Sequence, residues 1–441
     1  MRIHATAAFA ASLVACGAPV GAAGRDHNTL APLRHVERST AVDVTRVVEA
    51  PYLELDALVA AVLARNPALE AARQRAHAAE AGVAAAGAFD DPMLTYEIAP
   101  LSVAGDDRFG QRVSIGQRLP FPGKRALATD LSRAHAEVAR GDYLTARQDL
   151  AAMTADLYAD LYLVERSLDV NREVRALVET MQRSAEAHLA VGHGAPQDSL
   201  AAQVELEHLA STELVLQTER AVLVARLNGL LHRAPDARIP PTPSASPAPA
   251  APSAVAQLER DALAQRPEVG TAAAEVRAGE VAAAQARREA YPDVTVMATY
   301  TSMTAMPAHQ WMLGVALPIP LQRGRRAASV RVGDARTASA EAGRLAVHDQ
   351  IRVEVAAAHA GVTLGLELEA LYRDRLVPAA RDQIDAALAG YATGVNDFAA
   401  VIAAEQRVYA VSLEAHRVRA DLWRRQAALD RAVGRLPGGA S

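Results

Sequence analysis

The sequence predicts a mainly α-helical chain with a small transmembrane β part, written as two unequal copies of one pattern. Three observations lead there. Short landmarks recur in the same order at an offset close to 200 residues. Within each copy the apolar spacing changes from helical to strictly alternating and back. The chain is 51% hydrophobic yet only 4% aromatic, so Ala, Val and Leu carry the apolar content, which suits close helix packing better than a core built around large rings.

The repeat is the main organising feature. Ala64-Arg65-Asn66-Pro67-Ala68-Leu69 returns as Ala264-Gln265-Arg266-Pro267-Glu268-Val269, and Asp91-Pro92-Met93-Leu94-Thr95 returns as Tyr291-Pro292-Asp293-Val294-Thr295. Leu119-Pro120-Phe121-Pro122 has its counterpart at Leu317-Pro318-Ile319-Pro320, and Gly194 has its counterpart at Gly394. The first copy is expected over residues 51–239 and the second over 254–435. A Pro/Ala-rich linker over 240–253 joins them, and a tail follows at 436–441.

Each copy reads the same way in order. An Ala-rich helix carries a break at Asn66-Pro67 or its partner. A hairpin follows, about 92–119 in the first copy and about 292–318 in the second. In the first, Leu94, Tyr96 and Ile98 oppose Met93, Thr95 and Glu97. Val113, Ile115 and Leu119 oppose Arg112, Ser114, Gly116 and Arg118, with Gln117 interrupting the apolar face. In the second, Val294, Val296, Ala298 and Tyr300 form one face; Trp311, Leu313, Val315 and Leu317 form the other strand's apolar side. Four strands of roughly 9–11 residues with one apolar face match lipid-exposed barrel strands. Tyr96, Phe121, Tyr291, Tyr300 and Trp311 cluster in or beside them, as interfacial belts do.

Four strands cannot close a barrel, since their edges would stay unpaired in lipid, so the hairpins imply an oligomer. After each hairpin the helical spacing returns. Leu150, Met153, Leu157, Leu161, Val164 and Leu168 step by three and four. Leu209, Leu216, Leu223 and Leu230 recur at heptad spacing. The stretch 324–390, interrupted only by Pro378, would reach roughly 100 Å as one helix. The tips of these helical runs are expected near 191–198 and 391–397.

The N-terminus reads as an address. Residues 1–15 form a short export signal, with Arg2 ahead of an apolar stretch. It ends in Leu13-Val14-Ala15-Cys16-Gly17, which resembles a bacterial lipobox, and Cys16 is the chain's sole cysteine. Lipidation at Cys16 is the expectation; the alternative is ordinary cleavage after Val20-Gly21-Ala22-Ala23. Residues 16–50 form an extended lead-in.

The bulk numbers also exclude. A net charge of -5 speaks against a nucleic-acid partner. No Walker-type glycine loop or His-Glu-x-x-His pattern is present, so the chain is not expected to be an enzyme or to hold a cofactor. His188, His193, Met297, Met303, Met306 and Met312 are scattered without a coordination shell, and packing explains the methionines. No metal site is expected. Lys124, Arg125, Arg323, Arg325 and Arg326 follow the outgoing strands directly and read as basic anchors at the membrane edge.

These ordered, duplicated motifs resemble the TolC family of outer-membrane efflux proteins over about residues 50–435. The resemblance rests on Arg65-Asn66-Pro67, the Pro-led first strand of each hairpin, Leu119-Pro120-Phe121-Pro122-Gly123-Lys124-Arg125, Leu317-Pro318-Ile319-Pro320 with Arg323-Gly324-Arg325, and the turns at Gly194 and Gly394. It implies a homotrimer whose twelve strands form one barrel in outer-membrane lipid and whose helices continue as an α-barrel through the periplasm. It also implies an inner-membrane pump of the resistance-nodulation-division type, and a periplasmic membrane-fusion adaptor docking at Gly194 and Gly394. The function implied is a passive exit duct for small toxic solutes such as heavy-metal cations or drugs. A type I protein-secretion duct and a non-conducting periplasmic coiled-coil scaffold are the alternatives.

One departure stands out. Where family members carry tip aspartates, this chain has Ala400 and Ala403. A tip gate would then rest on Asp198, Asp397, Glu205 or Glu405, with helix capping the competing role for Asp198 and Asp397.

Overall fold

The protein, seen here as a computed structural model, is described over residues 44–99, 110–190, 195–244, 249–304, 306, 309–393 and 395–438. The chain divides into two units, Met1–Ala41 and Val42–Ser441, and the described residues belong to the second. Cys16, Gly194 and Gly394 lie outside the described residues.

The first half runs α1 (Val44–Glu49), α2 (Leu55–Arg65), α3 (Pro67–Ala86), β1 (Met93–Ala99), β2 (Gly110–Leu119), α4 (Lys124–Ala190) and α5 (Pro196–Leu230). The second half repeats that order without a counterpart of α1 and with the long helix in two pieces, as α6 (Val255–Gln265), α7 (Pro267–Arg288), β3 (Val294–Thr301), β4 (Trp311–Ala316), α8 (Arg323–Leu371), α9 (Val377–Ala392) and α10 (Phe398–Val433). Strands are a minor part of a mainly helical chain, as the alternation of periods predicts.

The Asn66-Pro67 break shows why local sequence stops a helix. Proline pushes the residue before it out of the helical region, and Asn66 is extended at φ -67°, ψ 120°. Its side-chain oxygen then accepts the N–H groups of Ala68 (3.0 Å) and Leu69 (3.2 Å), capping α3. Its amide donates to the Leu230 carbonyl at 3.2 Å, fastening the end of α5. Arg266 takes the same backbone shape ahead of Pro267 but makes no side-chain cap. Instead its buried guanidinium pairs with Glu268 (2.8 Å) and Glu354, and Arg431 joins that group through Glu268 (3.0 Å) and Asp149 (2.8 Å). The two copies keep one break and stabilise it with different chemistry.

Helix α4 has 67 residues, about 100 Å of helix at the usual rise. It packs against α3, α5, α7 and α10, while α8 packs against α6, α7 and α10. The Leu209/Leu223 stripe of α5 is buried against α4 as the heptad spacing predicts. Met153 departs from expectation: it is exposed, and Ala151, Thr154, Ala155 and Tyr158 form the buried stripe at that level. Small residues let the neighbouring backbone approach there, and Tyr158 and Tyr162 pack their rings on Trp423 of α10.

The long stretch through Pro378 stays helical but not uniformly so. A single π-helical turn, Tyr372–Leu376, separates α8 from α9. Proline offers no N–H and its ring crowds the carbonyl four residues earlier, so a widened turn relieves the conflict. Buried Glu369, beside that turn, accepts from Arg373 (3.0 Å) and Arg419 (2.7 Å), holding α8 to α10.

Candidate functional site: a four-stranded sheet and a two-hairpin tip

The strands form one antiparallel sheet in the order β1-β2-β3-β4. The register sets the faces. Tyr96 pairs with Val113, Val113 with Tyr300, and Tyr300 with Trp311; the next row runs Leu94, Ile115, Ala298 and Leu313. Gln117 and Val296 pair on this same face, so the interruption expected at Gln117 is real. The apolar face lies bare, with Leu313 91% and Trp311 72% exposed. The opposite face is polar or small apart from methionines: Thr95, Ser114, Thr299 and Met312 form one row, Met93, Gly116, Met297 and Gly314 the next, and Arg112 pairs with Glu97 at 2.9 Å. One apolar and one polar face is what a lipid-facing sheet with a wet interior requires. β2 has ten residues, whereas β1, β3 and β4 have seven, eight and six, shorter than expected, and Leu317 falls just past β4.

Asp293, the residue before β3, organises one end of the sheet. Its carboxylate accepts from Arg118 (2.6 Å), Lys124 (2.8 Å) and the Phe121 N–H (3.0 Å). Burial pushes its carboxyl up, but Lys124, the Phe121 N–H and Arg118 outweigh that and hold it down at about 2. Phe121 stacks on Tyr291 with ring centroids 4.7 Å apart. Gly123 turns the chain into α4 at φ +90°, a left-handed conformation that favours glycine.

The predicted basic residues follow the outgoing strands, at the starts of α4 and α8, but differ in what they do. Lys124 pairs with Asp293. Arg125 donates to the Gly87 carbonyl at 2.9 Å and covers the Phe89 ring at 3.6 Å. Arg326 donates to the Pro320 carbonyl at 2.8 Å. Arg323 and Arg325 are exposed. Sequence reasoning named the cations and missed Asp293, whose only local signal is an acidic residue directly ahead of β3.

At the other end of the helices, α4–α5 and α9–α10 pack around Val174, Val178, Met181, Leu209, Ile384 and Val401. Asp397 caps α10, accepting the Ala400 N–H at 2.9 Å. Asp198 does not cap: Pro196 opens α5, Ala195 takes the cap position, and Asp198 lies in the first turn. A carboxylate there still meets the positive end of the helix. Tyr391 stacks on His188 (5.1 Å) and meets Phe398 edge-on (5.5 Å).

Glu205 and Glu405 lie on α5 and α10. Glu205 accepts from Gln406 at 3.2 Å. Glu405 is only 1% exposed, so within the chain it faces packed helices and not an open surface. Burial, and then the Glu205 charge, push its carboxyl up to about 7. Among the described residues, no three His, Cys, Asp or Glu side chains come together in a way that could hold a metal ion. Nor is any described helix long and apolar enough to cross a membrane.

Comparison with known proteins agrees with this architecture. The family model described as outer membrane efflux protein matches residues 58–231 and 258–435, one match per copy of the repeat. The cobalt-zinc-cadmium resistance protein CzcC of Cupriavidus metallidurans is 22% identical over 402 residues, covering 87% of this chain and 90% of CzcC. Among solved structures, the outer-membrane channel OprN superposes with a TM-score of 0.75 at 21% identity, covering 88% of this chain and 91% of OprN. The outer membrane protein VceC of Vibrio cholerae gives 0.73 at 18% identity, covering 90% and 98%. With both copies of the repeat matched, the chain belongs to the outer membrane efflux protein family.

Proposed function

We propose that this chain is the protomer of a passive outer-membrane exit duct, three copies of which close one twelve-stranded barrel. The observation that carries this reading is the sheet itself. It has a bare apolar face across all four strands and two edges, β1 and β4, with no second partner among the described residues. In lipid those edges demand strands from neighbouring copies. Membership of a channel family supports the same reading.

The helices then continue the duct through the periplasm, and the hairpin tips around 191–198 and 391–397 meet a membrane-fusion adaptor. Lys124, Arg125, Arg323, Arg325 and Arg326 anchor the barrel's periplasmic rim. An inner-membrane pump of the resistance-nodulation-division type supplies the energy, and transport through the duct is diffusion. Heavy-metal cations are the favoured cargo, because CzcC is named for resistance to cobalt, zinc and cadmium.

Three experiments test this. Purified protein in planar bilayers should conduct, and chemical cross-linking should stop at the trimer. Deleting the gene should sensitise cells to cobalt, zinc or cadmium. Absence of conductance together with release from membranes by salt alone would favour a periplasmic scaffold. Loss of a secreted protein with unchanged metal tolerance would favour a secretion duct.

A further inference from the structure

Glu405 is the chain's outstanding orphan. It sits in the middle of a helix–helix seam, 1% exposed, and neither carboxylate oxygen has a hydrogen-bond partner. Buried polar groups are normally partnered, and a buried, unpaired carboxylate is costly when ionised.

Among the described residues, its surroundings hold no counter-charge. From α5, the facing group is Glu205, a like charge adjacent to Gln406; Glu207 and His208 beside it are exposed. On α4, Arg175 is engaged with Glu179 (3.4 Å) and Glu213 (3.4 Å), and Arg183 with the Thr180 hydroxyl (3.0 Å). On α9, Arg381, Asp382 and Asp385 are exposed, as is Arg407 on α10 itself. The rest of the seam is apolar: Val174, Val178, Ala202, Leu209, Ile384, Val401 and Ala404.

We propose that Glu405 is a proton-operated latch between the α4–α5 and α9–α10 hairpins, protonated while they are packed and ionised when they part. Packing excludes the charged form, because the carboxylate would then face Glu205 in an apolar seam. Separation of the hairpins lets water solvate it. The latch deepens the duct reading, since these hairpins would frame the periplasmic entrance; the packing equilibrium itself does not depend on that reading.

Linkage fixes the direction. A group whose packed-state value is raised favours packing fully below its ordinary value and loses that contribution as pH rises to its packed value. For Glu405 the window runs from 4.5 to about 7. Within it the open-to-packed ratio rises about tenfold per pH unit and then levels off. Acid holds the seam shut and neutral pH loosens it.

The test is hydrogen exchange of residues 398–413 in the intact full-length oligomer, each variant compared with the native protein at the same pH so that intrinsic exchange cancels. Relative to Glu405→Gln, the native protein should exchange about sixtyfold faster at about pH 7.5 than the same comparison gives at about pH 5. Glu205→Gln, which removes the like charge and keeps Glu405, should show a smaller rise. Native protein and Glu405→Gln exchanging alike at both pH values would overturn the latch. Bilayer conductance measured on the same samples separates the two readings. A pH-dependent seam without conductance leaves the latch standing and removes the duct.

Discussion

The ammonium of Lys124 lies 2.8 Å from the carboxylate of Asp293, so the first residue of α4 is fastened to the residue that leads into β3. The contact joins the first hairpin's exit to the second hairpin's entry, and Arg118 completes it from the end of β2. Asp293→Asn should therefore loosen that end of the sheet, with a cost of about 1–3 kcal/mol. Most of that loss falls on the half-buried Lys124 side, since Arg118 is 59% exposed and solvent screens it. The sign with pH is fixed: the carboxyl is held at about 2 against an ordinary 3.8. Its contribution is complete above 3.8 and disappears as pH falls through about 2. Urea midpoints of the two proteins at neutral pH and in acid check both points; a gap that persists below pH 2 would exclude the pair as its source.

Glu165 ties the chain after α5 back onto α4. It is buried, and accepts the N–H and the hydroxyl of Thr242 (each 2.8 Å) and the Arg220 guanidinium (3.0 Å). Glu165→Ala leaves a buried N–H and an arginine without their acceptor, and should cost about 2–4 kcal/mol. Glu165→Gln keeps an acceptor and should cost roughly half as much. Limited proteolysis of the Pro/Ala-rich segment is the sensitive readout. Equal resistance in all three proteins would mean that Thr242 is held by something else.

These two contacts mark the limit of what the sequence discloses. Fold class was legible because it depends on local period: alternation placed Tyr96, Val113, Tyr300 and Trp311 on one face, and the register puts them in one row. Asn66 was legible because a cap and its proline are neighbours. The ion-pair hubs were not. Asp293 meets partners 169 and 175 residues away, and no local spacing reports such a pairing. The burial of Glu405 follows from two hairpins meeting, which no local spacing along α10 reports. Lys124 and Arg125 were found by type and position; their differing partners, a carboxylate and a carbonyl over an aromatic ring, appear only in three dimensions.

Gly390 lies where α9 turns toward α10, and its carbonyl accepts the N–H groups of Val395 (2.8 Å) and Asn396 (3.1 Å). The Asn396 amide fills the space a side chain would need: a methyl group at Gly390 would come 2.2 Å from it. Gly390→Ala should displace Asn396 and weaken the turn by about 1–3 kcal/mol. The double variant Gly390→Ala/Asn396→Gly should recover much of that, because the obstructing amide is gone. Protease sensitivity at residues 391–397 measures it, and adaptor affinity should follow the same order. A double variant no better than the single one would rule out this contact as the reason for glycine.

Cys16 carries the last prediction. If the signal is cleaved before it, protein extracted from membranes should begin at Cys16 and carry a mass increment from lipid; Cys16→Ser should lack it. The variant should nevertheless stay in the outer membrane. The sheet presents an apolar face that includes Leu94, Ile115, Leu313 and Trp311, a hold on lipid that does not depend on the modification. Intact mass of the two proteins decides the modification, and alkaline extraction decides retention. A native protein starting after Ala23 without lipid would remove the anchor. A Cys16→Ser protein that washes free would show instead that lipid, and not the barrel, does the holding.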